Sequence, residues 1–196
     1  PDPTPALRCA DARFCKVSST GEILDDSATS WSCVRETING TVNYWEVKDP
    51  TVGSLRHKDW TYAKAGAAGA CGGTVTGCSV DAYVAAVNAG TRPCGPTRTC
   101  SVPTHADLIY LALPSTAFPQ PDGNAKLTTE TRSYAPPATF FPDAVTSGFY
   151  FNSSEARQVD YSAVIPAGRP FNNLSDEGMA PPASDTMAGH LRLICK

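Results

Sequence analysis

Eight cysteines, at positions 9, 15, 33, 71, 78, 94, 100 and 195, constrain this chain more than any other feature it carries. The even count invites complete pairing, and no two are spaced Cys-x-x-Cys. Five residues separate Cys9 from Cys15 and Cys94 from Cys100, and six separate Cys71 from Cys78, spacings poor for zinc and good for short disulfide loops. Three local disulfides are therefore expected, in a chain exported to an oxidising compartment, secreted or on a cell surface. With 196 residues, of which 41% are hydrophobic and 18% charged, the chain can bury the core of one large domain. A net charge of -3 argues against a nucleic-acid partner. No apolar run is long enough to span a membrane. The start at Pro1 shows no signal peptide, and Pro-Asp-Pro-Thr-Pro reads as a stiff linker leaving an upstream segment.

The stretch from Cys94 to Leu113 pins a loop, starts a helix and buries it. Pro103 keeps the chain extended, Thr104 is placed to cap the helix, and Asp107 completes a capping-box-like pair. Leu108 to Leu113 is apolar on almost every face, which marks a helix lying against a sheet, and Pro114 stops it. A first helix is expected from Ser79 to Ala89, capped by Ser79 or Asp81, with Tyr83, Val84 and Val87 at helical spacing and Gly90 at its end. Between Ser32 to Ile38 and Thr41 to Lys48 lies Asn39-Gly40, the strongest short hairpin signal, with Tyr44, Trp45 and Val47 as core contributors. Phe149 to Ser154, Val159 to Ile165 and His190 to Cys195 read as further strands.

Residues 1–30 read as a polar, irregular linker or extension given order by the Cys9 to Cys15 loop, and residues 31–196 as the domain proper. Asp25-Asp26-Ser27 is a solvated turn, since no spaced oxygen ligands follow as in an EF-hand. The Gly/Ala stretch from Ala63 to Gly77 lacks the Lys-Ser/Thr ending of a phosphate cradle. Asn39-Gly40-Thr41, Asn152-Ser153-Ser154 and Asn173-Leu174-Ser175 are glycosylation sequons, chance matches if the source is bacterial.

Several blocks in order carry a family resemblance: Cys33-Val34-Arg35, Tyr44-Trp45-Glu46-Val47-Lys48, Leu55 to Tyr62, Tyr83 to Asn88, Cys94-Gly95 followed by Ser101-Val102-Pro103-Thr104 and Asp107-Leu108, Phe140-Phe141-Pro142, Phe149 to Ser154, and Leu191-Arg192-Leu193. From about Trp31 onward the chain resembles the bacterial domain family DUF1566, which includes the C-terminal domain of a Legionella collagen-like adhesin. The family's Trp-Arg pair before Leu-Pro-Thr is missing, with Thr99 and Cys100 or their neighbours in its place. The resemblance implies an α+β, C-type-lectin-like fold: a twisted, mostly antiparallel sheet with two helices, long loops and four disulfides. Such folds pair their two ends as neighbouring strands, which puts Cys195 beside the hairpin containing Cys33 and makes these two, left by the short loops, the fourth pair. Gln120-Pro121-Asp122 matches the tripeptide that helps animal C-type lectins bind calcium and sugar, making Asp122 and Asn124 calcium candidates. Its companion Trp-Asn-Asp is absent and a Pro-Asp-Gly turn accounts for the residues, so no cofactor is expected.

Function is narrowed by what is absent and by two long loops. There is no Gly-x-Ser-x-Gly, no His-Glu-x-x-His and no dinucleotide fingerprint. His57, His105 and His190 read as hydrogen-bonding surface residues. An enzyme resembling the formylglycine-generating enzyme needs reactive cysteines, and here each cysteine has a partner to pair with. The expectation is thus a non-enzymatic recognition or adhesion domain binding glycan or protein on a host or neighbouring cell. The alternative is the globular head of a pilus or filament subunit, whose partners are copies of itself. Contacts are expected from the loops 115–139 and 169–188, with Arg132, Tyr134, Arg157, Tyr161, Asn172, Asn173 and Asp176 as candidates, because Tyr, Arg and Asn supply stacking and adaptable hydrogen bonds.

Overall fold

A computed structural model describes residues 9–64, 69–90, 92–113, 132–133, 135–145, 149–153, 158–160, 164–165, 179–180 and 188–196. At its centre is the hairpin signalled by Asn39-Gly40, formed by β2 (Cys33–Ile38) and β3 (Thr41–Glu46). Both turn residues hold positive φ, 48° and 77°, as a tight two-residue hairpin turn requires. Three more strands complete an antiparallel sheet of five: β1 (Phe14–Val17) on β2, and the chain's last strand, β10 (Ile194–Cys195), inserted between β3 and β4 (Cys100–Ser101).

Alternation along each strand assigns side chains to the two faces. Val17, Cys33 and Glu46 share one cross-strand row, and Cys15, Arg35, Tyr44, Cys195 and Cys100 the next row on that face. Lys16, Val34, Trp45 and Ile194 form a row on the opposite face. Each face has its own helix. Helix α1 (Val80–Ala89) contributes Val80, Tyr83 and Val87 to the cluster around Val17 and Cys33, while α2 (His105–Ala112) contributes Leu108 and Leu111 to the cluster around Val34 and Trp45. Leu108 and Leu111 are fully buried, and each such side chain stabilises the fold by about 1.5–3 kcal/mol.

The helix boundaries follow the capping residues. The Ser79 hydroxyl accepts the Ala82 N–H at 3.1 Å, and Thr104 and Asp107 exchange backbone-to-side-chain bonds in a reciprocal capping box. At the other end of α2, Arg13 donates to the carbonyls of Tyr110 and Leu113, placing a cation where the helix dipole is negative.

The expectation of an irregular segment over residues 1–30 fails at Phe14–Val17, which is a paired strand. Its two flanking or internal cations are buried with partners: Arg13 binds Glu36, and the Lys16 ammonium donates to the Asp26 and Ala28 carbonyls at 2.8 and 2.7 Å and lies 4.0 Å from the Trp31 ring centroid. Phe14 packs on Phe140 and Phe141.

All eight cysteines are paired, but two pairs differ from expectation. Cys9–Cys15 and Cys71–Cys78 form; instead of Cys94–Cys100 and Cys33–Cys195, the structure has Cys33–Cys94 and Cys100–Cys195. Sheet order explains the exchange. Strand β3 separates β2 from β10, and Cys33 pairs with Glu46 whereas Cys195 pairs with Tyr44, so the two cysteines stand more than two strand spacings apart, upward of roughly 9–10 Å, beyond the roughly 7 Å a disulfide spans. Cys100 lies directly opposite Cys195, next to a pair in which Thr99 and Lys196 exchange both backbone hydrogen bonds. That leaves the cysteines at a non-hydrogen-bonded position, where facing side chains come closest.

Five short strands form two smaller antiparallel ladders: β5 (Arg132–Ser133) with β8 (Val164–Ile165), and β6 (Phe149–Tyr150), β7 (Gln158–Asp160) and β9 (Met179–Ala180) in the order β6-β7-β9. Among the described residues, no helix is long and apolar enough to cross a membrane.

Candidate functional site

Where β3 ends, the chain continues through Val47, Lys48 and Asp49, and residues 56–58 return beside it. Asp49 N–H donates to the Arg56 carbonyl at 2.9 Å, and Lys58 N–H to the Asp49 carbonyl at 3.0 Å. This return presents Lys48, Asp49, Pro50 and Arg56 along one wall of a cleft of about 380 Å³. The facing wall comes from the connection between β1 and β2: Ser18, Ser19, Ser30, Trp31 and Ser32. Its backbone is held by the Ser18–Gly21 turn and by the Ser32 hydroxyl, which donates to the Pro93 carbonyl at 2.6 Å. The Trp31 indole N–H donates to the Phe140 carbonyl at 2.9 Å, which fixes the ring at the cleft edge.

Beneath the cleft lies a buried charge cluster. Glu46, fully buried, faces the α1 side of the sheet, where the Tyr83 hydroxyl donates to its carboxylate. The Lys48 ammonium is 3.1 Å from the same carboxylate, donates to the Tyr83 oxygen at 2.5 Å and sits 4.1 Å from the Tyr83 ring centroid. Arg56 Nε is 3.4 Å from Glu46, and the Leu193 N–H donates to it at 3.1 Å. Arg192 links this cluster to a second one, donating to the Glu46 carbonyl at 2.6 Å and to the Asp143 carboxylate at 2.7 Å. Asp143 also accepts the Lys48 N–H at 2.9 Å.

Burial pushes the Lys48 ammonium down to a pKa of about 8, with Glu46 opposing the shift and Arg56 and Arg192 adding to it. Burial, together with the Glu46 charge, raises the Tyr83 phenol well above its ordinary value and the Tyr62 phenol likewise. At His190, burial and the nearby Lys48 hold the imidazole below its usual range, partly offset by Asp59. Partial burial acts upward on the Asp49 carboxyl, but hydrogen bonds from Thr51 and Ser54 and the Arg56 charge outweigh it and keep it low.

Chemically, Glu46 serves as the shared counter-ion of two cations; its oxygens are engaged by Tyr83, Lys48, Arg56 and the Leu193 amide. The cleft above it offers free polar groups. Arg56 donates through Nη2 to the Val47 carbonyl at 2.6 Å, while its Nη1 donates to no atom among the described residues. Ser19 and Ser30 are exposed, and their hydroxyls are likewise unpaired among the described residues. Among those residues no group of three or more His, Cys, Asp or Glu is placed to hold a metal ion.

Of the contacts expected from sequence, Tyr134, Arg157, Tyr161, Asn172, Asn173 and Asp176, and the calcium candidates Asp122 and Asn124, lie outside the described residues. Arg132 lies in β5, paired with Ile165. His57 is buried rather than on the surface, its ring 4.8 Å from that of Trp60. The sequon asparagines differ in access: Asn39 is exposed at the hairpin tip, Asn152 is buried, and Asn173 lies outside the described residues. Sequence reasoning passed over Trp31, Lys48 and Arg56 as site residues. The available signal was the charge pair Glu46 and Lys48, which shares a strand face with the core aromatic Tyr44. No protein-family model, no curated protein and no solved structure matches this chain.

Proposed function

We propose that this chain is an extracellular recognition domain of a bacterial surface protein, of DUF1566-like sequence and C-type-lectin-like fold, which binds a glycan or protein without catalysing a reaction. The observation that carries this reading is the cross-linking of the sheet. All eight cysteines are spent on disulfides, and Cys33–Cys94 and Cys100–Cys195 tie strands of the sheet to segments distant in the chain. Such a frame holds connecting segments in fixed positions, the usual foundation for binding surfaces built on loops. The ionisable groups at the centre support binding over chemistry, because Glu46 and Lys48 satisfy each other inside the core.

The test is a glycan array and a cell-adhesion assay on the purified, oxidised domain, each with and without EDTA. Replacement of residues 115–139 and 169–188 by short turns is expected to weaken adhesion, as is Ala at Arg132, Tyr134, Tyr161 or Asn173, with thermal stability nearly unchanged. Adhesion that survives removal of both loops moves the contacts off them, and absence of any binding, to glycans or to protein-coated surfaces, rules the reading out.

A further inference from the structure

We infer that the cleft between the β1–β2 connection and the segment following β3 is a binding site for an uncharged, hydroxyl-rich sugar unit. This rests on the recognition reading above and names where and what the domain binds. Size comes first: about 380 Å³ falls in the range of small-ligand clefts, roughly 300–1,000 Å³. The chemistry of the walls comes second. The lining residues supply both donors and acceptors: Arg56, whose Nη1 donates to no atom among the described residues, the exposed Ser19 and Ser30, and Asp49, whose carboxylate already accepts from Thr51 N–H. A sugar hydroxyl both donates and accepts, so it can pair with each of these in turn. Trp31 adds an aromatic surface at the same edge, anchored by its indole N–H.

Charge balance selects a neutral ligand. Two cations, Lys48 and Arg56, border the cleft; Glu46 beneath them takes up one positive charge, and Asp49 within it takes up the other. Among the residues that line the cleft, none offers a surplus cation to a carboxylate or sulfate group entering beside Asp49; Lys16, packed on the Trp31 ring, is spent on the Asp26 and Ala28 carbonyls. A neutral polyol meets no such penalty. The frame is also preorganised, since the Ser32 hydroxyl, the Trp31 indole and the Arg56 guanidinium are each hydrogen-bonded to a backbone carbonyl.

The experiment is an array of neutral and acidic glycans probed with the intact oxidised domain at low and high salt, repeated with Ser30→Tyr and Arg56→Gln. Ser30 is exposed, so tyrosine there fills the cleft mouth without entering the core. The expected result is binding to neutral glycans that changes less than about twofold between low and high salt, because an uncharged ligand is not screened. Ser30→Tyr should weaken it at least tenfold while its thermal midpoint stays at that of the parent. Arg56→Gln should weaken it as well, and free monosaccharide should compete. Wild-type binding that Ser30→Tyr and Arg56→Gln both leave intact overturns the cleft assignment while the recognition reading stands on another surface. Binding confined to acidic glycans and lost in high salt overturns the ligand class. Failure to bind any glycan overturns the inference entirely, and adhesion to a protein-coated surface then decides whether the broader reading survives.

Discussion

Replacing Glu46 by Gln keeps the shape of the side chain and removes one charge from the centre of the buried cluster. Its cost can be divided into two parts. The first belongs to Lys48, whose pKa of about 8 depends on Glu46 opposing the effect of burial. Without that carboxylate the pKa falls further, and the folded protein forfeits the protonation energy it now keeps. At roughly 1.4 kcal/mol per pH unit, this is on the order of 1 kcal/mol at pH 7, on the order of 3 at pH 6 and close to nothing above about pH 9. The second part, the loss of charge-assisted bonds from Tyr83 and Leu193, adds about 1–3 kcal/mol that does not vary with pH over this range. Together they approach the roughly 3–5 kcal/mol measured when one partner of a buried ion pair is removed. The sign follows from linkage. A lysine with a depressed folded pKa makes stability rise with pH between the folded and unfolded values, which for the wild type is from about 8 to about 10.5. In Glu46→Gln the rise begins at lower pH. Urea unfolding at several pH values from about 6 to about 9, with disulfides intact, measures the difference between the two proteins. A gap that stays constant across this range, or that is below about 1 kcal/mol at pH 6, refutes the coupling of Lys48 to Glu46.

Three further outcomes are expected. Changing both Cys100 and Cys195 to Ala should cost about 4.7 kcal/mol, against about 2.4 for Cys71 and Cys78, because the first bridge closes a far longer loop; chemical denaturation of the two variants compares them, and non-reduced peptide mapping should recover Cys33 joined to Cys94. Arg13→Ala should destabilise by about 3–5 kcal/mol and Arg13→Lys should rescue little, since only the guanidinium fork reaches Glu36 and the end of α2 together; thermal unfolding reads both. Tyr62 and Tyr83 have raised folded pKa values, so the stability they contribute is complete below about pH 10 and is lost as pH climbs through the folded values. Ultraviolet absorbance should show these phenols ionising only as the chain unfolds, and Tyr83→Phe should shift that alkaline transition upward.

Local signals were legible because the residues that make them act on their immediate neighbours. Ser79 and the Thr104–Asp107 pair bond amides within three residues, and Asn39-Gly40 needs only its own backbone to turn the hairpin. Strand β1 was obscured because Lys16 and its neighbour Arg13 look like solvent-facing charges, yet each is buried against groups from remote segments. Glu46 and Lys48 misled in the same way, alternating with Trp45 and Val47 as a wet face would. The clue available was that both predicted helices have a face to bury, so both sides of the sheet must be covered. Cysteine spacing favoured the nearest partner, whereas partner choice in the fold depends on strand order, and a strand made of the chain's last residues cannot be placed by local spacing.

The insertion of β10 between β3 and β4 fixes when this protein can mature. Synthesis delivers roughly 5–20 residues per second, so β3 and Cys100 exist for seconds before residues 194–195 emerge. During that interval β3 presents an open edge, and Cys94 and Cys100, six positions apart, are the thiols that meet most readily. An oxidant acting on the nearest free thiols would join them, and one acting in strict order of appearance would join Cys33 to Cys71 and Cys78 to Cys94; either traps chains with non-native bridges. Native pairing requires Cys100 to wait for Cys195, or a wrong bridge to be exchanged afterwards. Yield in an oxidising compartment should thus depend on a disulfide isomerase, and a chain cut short before Ile194 should accumulate as mispaired material rather than as a smaller folded form.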